Sequence, residues 1–220
     1  MKKAVVIIGI IVIIIIALVI FVKGPLDHDN AYYIKDGRVY YSALLFGSRG
    51  EPKIVEGADP SSFKNRSSAT GQEYGTDKNF VFCAGEKLGG SDGPTFKNTD
   101  PNYAFDKYQV YYPYCRIIIG ADASSFQIIS VGTYAKDKNH VYLFGKVIPI
   151  SDPQSFEVLD GSTYLKDKNF VYYFLHTTDP VKGEVYDVKK IDGADSASFK
   201  VINDGLAEDS YHTYLNGKVK

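Results

Sequence analysis

The chain has 220 residues, with 25 Lys and Arg against 26 Asp and Glu, a formal net charge of −1 and 45% hydrophobic residues. That length suits one domain or one repeat array with a buried core, and a balance this near neutral gives no electrostatic footprint for nucleic acid. Two cysteines exclude a disulfide-dense scaffold and a four-cysteine zinc site, and 18 Tyr and 13 Phe stand beside no Trp.

In chain order, Met1-Lys2-Lys3 form a short basic tip, and Ala4 to Val22 follow without a charge. As a helix this run rises roughly 28 Å, close to the hydrocarbon thickness of a bilayer. It is longer than the apolar region of a cleavable signal peptide and ends in Leu18-Val19-Ile20-Phe21-Val22, with no small-x-small site. Lys2 and Lys3 place the tip in the cytoplasm, although Lys23 weakens the asymmetry. Lys23-Gly24-Pro25 stops the helix and opens a polar linker to about Asn30. The expected order is therefore a cytoplasmic tip at 1–3, an uncleaved anchor at 4–22, a linker at 23–30 and an exported body at 31–217. The protein is expected in the cell membrane as a single-pass chain, its C-terminal body outside the cytoplasm.

The body is repetitive. A Gly-Ala-Asp-x-x-Ser-Phe element recurs with Asp59 and Phe63, Asp122 and Phe126, and Asp195 and Phe199; degenerate copies carry Asp92 and Phe96, and Asp152 and Phe156. In every copy the Phe lies four residues after the Asp. A second element alternates with it: Asp77-Lys78-Asn79, Asp106-Lys107-Tyr108, Asp137-Lys138-Asn139 and Asp167-Lys168-Asn169, each running into a Val and an aromatic residue. A shortened copy at Lys35-Asp36-Gly37 opens the series and a decayed one near Asp209 closes it. A Tyr stands three positions before the Asp at Tyr33, Tyr74, Tyr103, Tyr134 and Tyr164. In these residues the sequence resembles the DKNYY family, bacterial proteins named for this motif. The resemblance spans roughly 31 to 217 and implies no catalytic residues, since the family has no assigned activity.

Phe170-Val171-Tyr172-Tyr173 and similar β-branched and aromatic runs are strand chemistry. Asp-Lys-Asn suits a tight turn, with Asp accepting from backbone N–H groups ahead of it. Asp-x-x-Ser-Phe reads as one helical turn capped by its Asp, with Pro60 and Pro153 at the first helical position and the Phe pointing into the core. A unit of this size cannot bury its own aromatics, so neighbours must stack. The expected class is all-β: an open, solenoid-like stack of short β-meanders, with a closed five-bladed propeller as the alternative. Extra residues from Leu175 to Lys189 suggest a protruding hairpin, and the first copy is stretched around Gly47 to Pro52.

The chemical signals are weak. Gly89-Gly90-Ser91-Asp92-Gly93 matches a hydrolase elbow in letters, but Ser91-Asp92 occupies the Ala-Asp slot of the repeat. His28, His140, His176 and His212 lack ligand spacing, and Asp27-His28-Asp29-Asn30 departs from a calcium loop at Ala31 and Tyr32. Cys83 and Cys115 lie in adjacent copies, where an oxidising compartment would favour a bond; spacing leaves open whether they reach each other. The expectation is a non-enzymatic scaffold at the envelope for protein contact or structure, without cofactor or metal. The alternative is a cell-wall glycan-binding module using exposed tyrosines, and in either case residues 4–22 engage the membrane.

Overall fold

The computed structural model describes residues 31–45, 48–66, 73–159, 163–181, 183–203 and 205–220. The tip, anchor and linker expected over 1–30 lie outside the described residues, as does Gly47. Among the described residues no helix is long and apolar enough to cross a membrane.

Every sheet is antiparallel, and no α-helix occurs among the described residues. Among the described residues six small meanders follow one another, their strands adjacent in space in chain order, with a seventh, two-stranded sheet inserted in the first. The first module pairs Tyr32–Lys35, Arg38–Tyr41 and Lys53–Ile54, with a separate small hairpin of Leu44–Leu45 and Ser48–Arg49 inserted before its last strand. The second holds Lys64–Asn65, Tyr74–Thr76, Val81–Cys83 and Glu86–Lys87, and the third Ala104–Phe105, Val110–Tyr112 and Arg116–Ile117. The fourth comprises Gln127–Ser130, Tyr134–Lys136, Val141–Leu143 and Lys146–Ile148. Glu157–Val158, Tyr164–Lys166, Val171–Asp179 and Gly183–Lys190 make the fifth, and Lys200–Asn203, Leu206–Glu208, Thr213–Leu215 and Lys218–Val219 the sixth. The protruding hairpin expected from Leu175 to Lys189 is present as the long last pair of the fifth module.

Strand alternation gives each sheet two faces, and both are used. In the second module Phe82 packs back against Tyr32, Val39 and Tyr41 of the first. Its neighbours Tyr74, Val81 and Cys83 point the other way and pack on Ala104 and Tyr111 of the third. The pattern continues in three more clusters, joining the third module to the fourth, the fourth to the fifth and the fifth to the sixth. No module buries its aromatics alone; each core belongs to two neighbours.

All five landmark phenylalanines meet a Tyr of the preceding module, and four of them, all but Phe156, also meet an aromatic ring of their own module. Phe63 lies 5.3 Å from Tyr32 and 5.6 Å from Phe82, Phe126 5.6 Å from Tyr103 and 5.9 Å from Tyr142, and Phe199 5.3 Å from both Tyr164 and Tyr214. Phe96 meets Tyr74 and Tyr111, and Phe156 meets Tyr134. The turn before each Phe is a 3-10 turn at Gly93–Thr95, Ala123–Ser125 and Pro153–Ser155, tighter than the helical turn expected. Around Asp59 and Asp195 it is a plain turn.

The first copy departs from the spacing. Its strands are joined by the two-residue turn Asp36-Gly37, with φ of 47° and 68°, rather than by the longer Asp-Lys-Asn turn. The shorter connection moves the structural counterpart of the repeat tyrosine from Tyr33 to Tyr32, which is buried while Tyr33 is half-buried.

Candidate functional site

The two repeat motifs, 14 to 18 residues apart, meet in space and form one node per interface from the second module onward. Asp137 shows the pattern. Its Oδ1 accepts the backbone N–H groups of Asn139 and His140, both at 2.7 Å. Its Oδ2 accepts the Asp122 N–H at 2.8 Å and the Tyr142 hydroxyl at 2.7 Å. Burial opposes the charged form, but these four donors outweigh it and hold the carboxyl below the usual range. Asp106, Asp167 and Asp209 accept the same set from Tyr111, Tyr172 and Tyr214 and the local backbone. Asp77 accepts three backbone donors, from Asp59, Asn79 and Phe80, because Phe82 stands where the others have Tyr.

The capping aspartates complete each node. Asp122 accepts the Ser125 N–H and hydroxyl at 3.0 Å each, and Lys138 Nζ lies 2.5 Å away. Lys138 and the serines hold the Asp122 carboxyl well below its usual range. Lys78 pairs with Asp59, Lys107 with Asp92 and Lys168 with Asp152 in the same way. The Ser125 hydroxyl also accepts the Lys138 N–H, so one hydroxyl links the two motifs. The motif Asp, Lys and Ser side chains are thus spent on local donors and acceptors. Among the described residues no group of three His, Cys, Asp or Glu side chains is placed to hold a metal ion.

Ser91 is buried, donating to the Leu88 carbonyl and accepting from the Val81 N–H at 2.8 Å, a turn role. His140 lies edge-on to Tyr142, as packing at an aromatic slot requires. The repeat tyrosines Tyr74, Tyr103, Tyr111, Tyr134, Tyr142, Tyr164, Tyr172 and Tyr214 are all buried. Exposed instead are Tyr108, Tyr114, Tyr186 and Tyr211. Cys83 and Cys115 are joined in a disulfide with Cα atoms 5.9 Å apart.

Sequence inspection missed a two-module alternation. In odd modules the repeat tyrosine reaches into the next module: Tyr32, Tyr103 and Tyr164 accept from the N–H of Gly85, Gly145 and Gly217 at 2.9, 2.9 and 3.1 Å. The same hydroxyls donate to the carbonyls of Glu73, Thr133 and Gly205. A second ring, Tyr41, Tyr112 or Tyr173, covers the glycine so closely that a Cβ there would lie 2.6 to 2.8 Å from it. Those glycines also have positive φ and close two-residue turns. The even modules carry these tight turns, whereas the odd ones carry the enlarged hairpins: the inserted Leu44–Arg49 pair, the Pro113-Tyr114-Cys115 loop, and the long strands Val171–Asp179 and Gly183–Lys190. Only the glycines at fixed turn positions hinted at this.

Where an even module meets an odd one the lock is absent. The Tyr74 hydroxyl is buried without a partner, and the disulfide spans the gap there. Beside it lies a cleft of about 640 Å³ lined by Tyr41, Leu44, Glu73, Tyr74, Ala84, Asn102, Tyr112, Tyr114 and Cys115, among others. Glu73 is ion-paired with Arg49 at its edge and accepts the Tyr41 hydroxyl at 2.5 Å.

No curated protein and no solved structure matches this chain significantly. The DKNYY family model matches it twice, over residues 32–176 and 103–219. The two matches begin at Tyr32 and Tyr103, tyrosines in the same structural position two modules apart. With both matches together spanning most of its length, the chain belongs to the DKNYY family.

Proposed function

We propose that this chain is a single-pass membrane protein whose repeat body stands outside the cytoplasm as an open stack and serves as a non-enzymatic scaffold for protein contact. One observation carries the reading. The repeated polar groups are turned onto the backbone at the nodes, while the irregular elements, the odd-module hairpins, project. The disulfide fits an oxidising compartment. Openness is supported by the two end faces. In the first module the outward face carries a stacked Tyr33–Tyr40 pair with exposed Lys35 and Arg38. In the sixth, Leu206, Glu208, Thr213 and Leu215 replace the buried forward faces of the other even modules, and Leu215 is 48% exposed. Polar, exposed ends suit an array capped at both sides rather than a ring.

Membrane fractionation tests the location: the full chain should stay with alkaline-washed membranes and be cut by protease added to intact spheroplasts. A soluble or protected chain would reject it. Photo-crosslinking tests the contact. A photoreactive side chain at Val181, 92% exposed on the long hairpin, should give protein adducts in cells, and one at Ile119, 93% exposed in the 3-to-4 connection, should not. The glycan reading retains the exposed Tyr108, Tyr114, Tyr186 and Tyr211. Retention of the chain on purified cell wall, lost on replacing these four by alanine, would put it first.

A further inference from the structure

The three locked glycines share a geometry and differ in the residue before them. Ala84, Phe144 and Asn216 take positive φ of 51°, 49° and 49°, and the glycine that follows each gives its N–H to the hydroxyl of Tyr32, Tyr103 or Tyr164. Of the three turns, the last reads Asn-Gly. In that dipeptide an asparagine side chain closes on the backbone most readily, because glycine has no Cβ to hinder the approach of its nitrogen. The reaction consumes water alone. The Gly217 nitrogen gives up its proton to solvent base and bonds to Asn216 Cγ, the Cγ–Nδ2 bond breaks, and ammonia leaves. Water then opens the cyclic imide at either carbonyl. The product is aspartate at 216, or a main chain rerouted through the side-chain carbonyl and longer by a methylene.

In the folded chain both reacting groups are engaged elsewhere. The Gly217 N–H, which must lose its proton, donates to the Tyr164 hydroxyl at 3.1 Å, and that hydroxyl donates onward to the Gly205 carbonyl at 3.0 Å. The Tyr173 ring covers Gly217 so closely that a Cβ there would lie 2.6 Å from it. Asn216 is tied to the neighbouring hairpin: its N–H donates to the Gly205 carbonyl at 2.7 Å, and its Oδ1 rests over Gly205 and accepts the Tyr173 hydroxyl at 3.3 Å. Asn216 is also exposed, so water and base are at hand whenever the turn opens. We propose that Asn216–Gly217 is a self-modification site held shut by the third tyrosine–glycine lock, and that hydrolytic deamidation converts a lasting opening of the sixth module into a permanent one. The rerouted main chain lengthens a two-residue turn whose strands are in fixed register, Tyr214 opposite Val219 and Leu215 opposite Lys218, so the Gly217 N–H no longer meets Tyr164. The first two locks, with Ala84 and Phe144 in this place, carry no such group and reclose without loss.

The test ages the full chain in detergent micelles at neutral pH and reads the tryptic peptide Val201–Lys218 by fragmentation mass spectrometry, for replacement of the amide at 216 by a carboxyl and for the β-linked product. The free peptide Thr-Tyr-Leu-Asn-Gly-Lys-Val, residues 213–219, is the unprotected reference. The folded chain should convert at least about tenfold more slowly than this peptide, a comparison that needs no variant. Tyr164→Phe removes the hydroxyl and keeps the ring; it should speed conversion about tenfold, near 1.4 kcal/mol, since the reaction follows the population of the opened turn. Tyr103→Phe opens the equivalent lock before Phe144 and should leave the rate at 216 unchanged. Amide exchange at Gly217 should quicken in the β-linked product and stay slow in Asn216→Asp, which carries the carboxylate without the longer main chain. The proposal is overturned by a parent that converts as fast as the peptide, by Tyr164→Phe converting no faster than the parent, by equal acceleration in Tyr103→Phe, or by a β-linked chain that keeps its protection at Gly217.

Discussion

A buried carboxylate with four donors is the unit on which the fold depends. Each donor is a backbone N–H of a turn or a phenol, the phenols of Tyr111, Tyr142 and Tyr172 bonding in buried positions, so the Asp satisfies groups that no strand partner reaches. The node at Asp77 lacks one donor because Phe82 replaces the Tyr found at 111, 142, 172 and 214. Phe82→Tyr should therefore raise stability by about 1.5–3 kcal/mol, the net worth of one hydrogen bond to a charged acceptor. A lower urea midpoint would mean that the first node is closed differently. The same chemistry sets the pH limits. Asp122, Asp137, Asp167 and Asp209 have folded-state values below the usual carboxylate range. Their contribution is complete above about pH 4 and is lost as pH falls through those lowered values. Tyr134 is pushed up to about 12 by burial, and Tyr172 to about 12 by burial and by its bond to Asp167. That contribution is complete below about pH 10 and lost as pH climbs towards the raised values. Urea midpoints across pH should fall at both ends, with phenolate absorbance rising together with unfolding at the alkaline one; tyrosine ionisation well before loss of structure would contradict the burial.

At the scale of elements, the interfaces are of two kinds. Tyrosine–glycine locks close modules one to two, three to four and five to six, and the other two junctions use substitutes, the disulfide and the Phe144–Tyr186 contact. Cys83→Ser with Cys115→Ser should cost about 2–4 kcal/mol, a typical value for one disulfide. The loss should fall on the junction of the second and third modules, read as faster proteolysis at Lys97–Asn98 than in the parent. Equal sensitivity in both proteins would show that packing alone holds that junction. The Asp and Phe landmarks, the strand runs and the long hairpin were legible in the sequence because they follow local spacing and turn chemistry. The pairing of Asp59 with Asp77 or Asp122 with Asp137 was not, since each motif reads as a complete turn by itself. Tyr33 was mistaken for Tyr32 because counting from Asp36 assumes a turn one residue longer than the first hairpin has.

Among the described residues each sheet packs against its neighbours in the chain, and in the open stack proposed above stability should be distributed along it as nearest-neighbour terms. Hydrogen exchange should be slowest in the third and fourth modules, flanked on both sides, and fastest in the first and sixth, with intermediate values between. Uniform protection followed by a single cooperative loss would argue for a closed ring or a global core instead. Alternation also constrains how such a protein could grow or shrink. Inserting one extra unit would set a lock-bearing tyrosine against an enlarged loop, or an open forward face against a tight turn, at one of the two junctions it creates. Inserting a couple would leave each boundary matched, so the building block is the doublet, 71 residues from Tyr32 to Tyr103 and 61 from Tyr103 to Tyr164, rather than the single copy that the eye first counts.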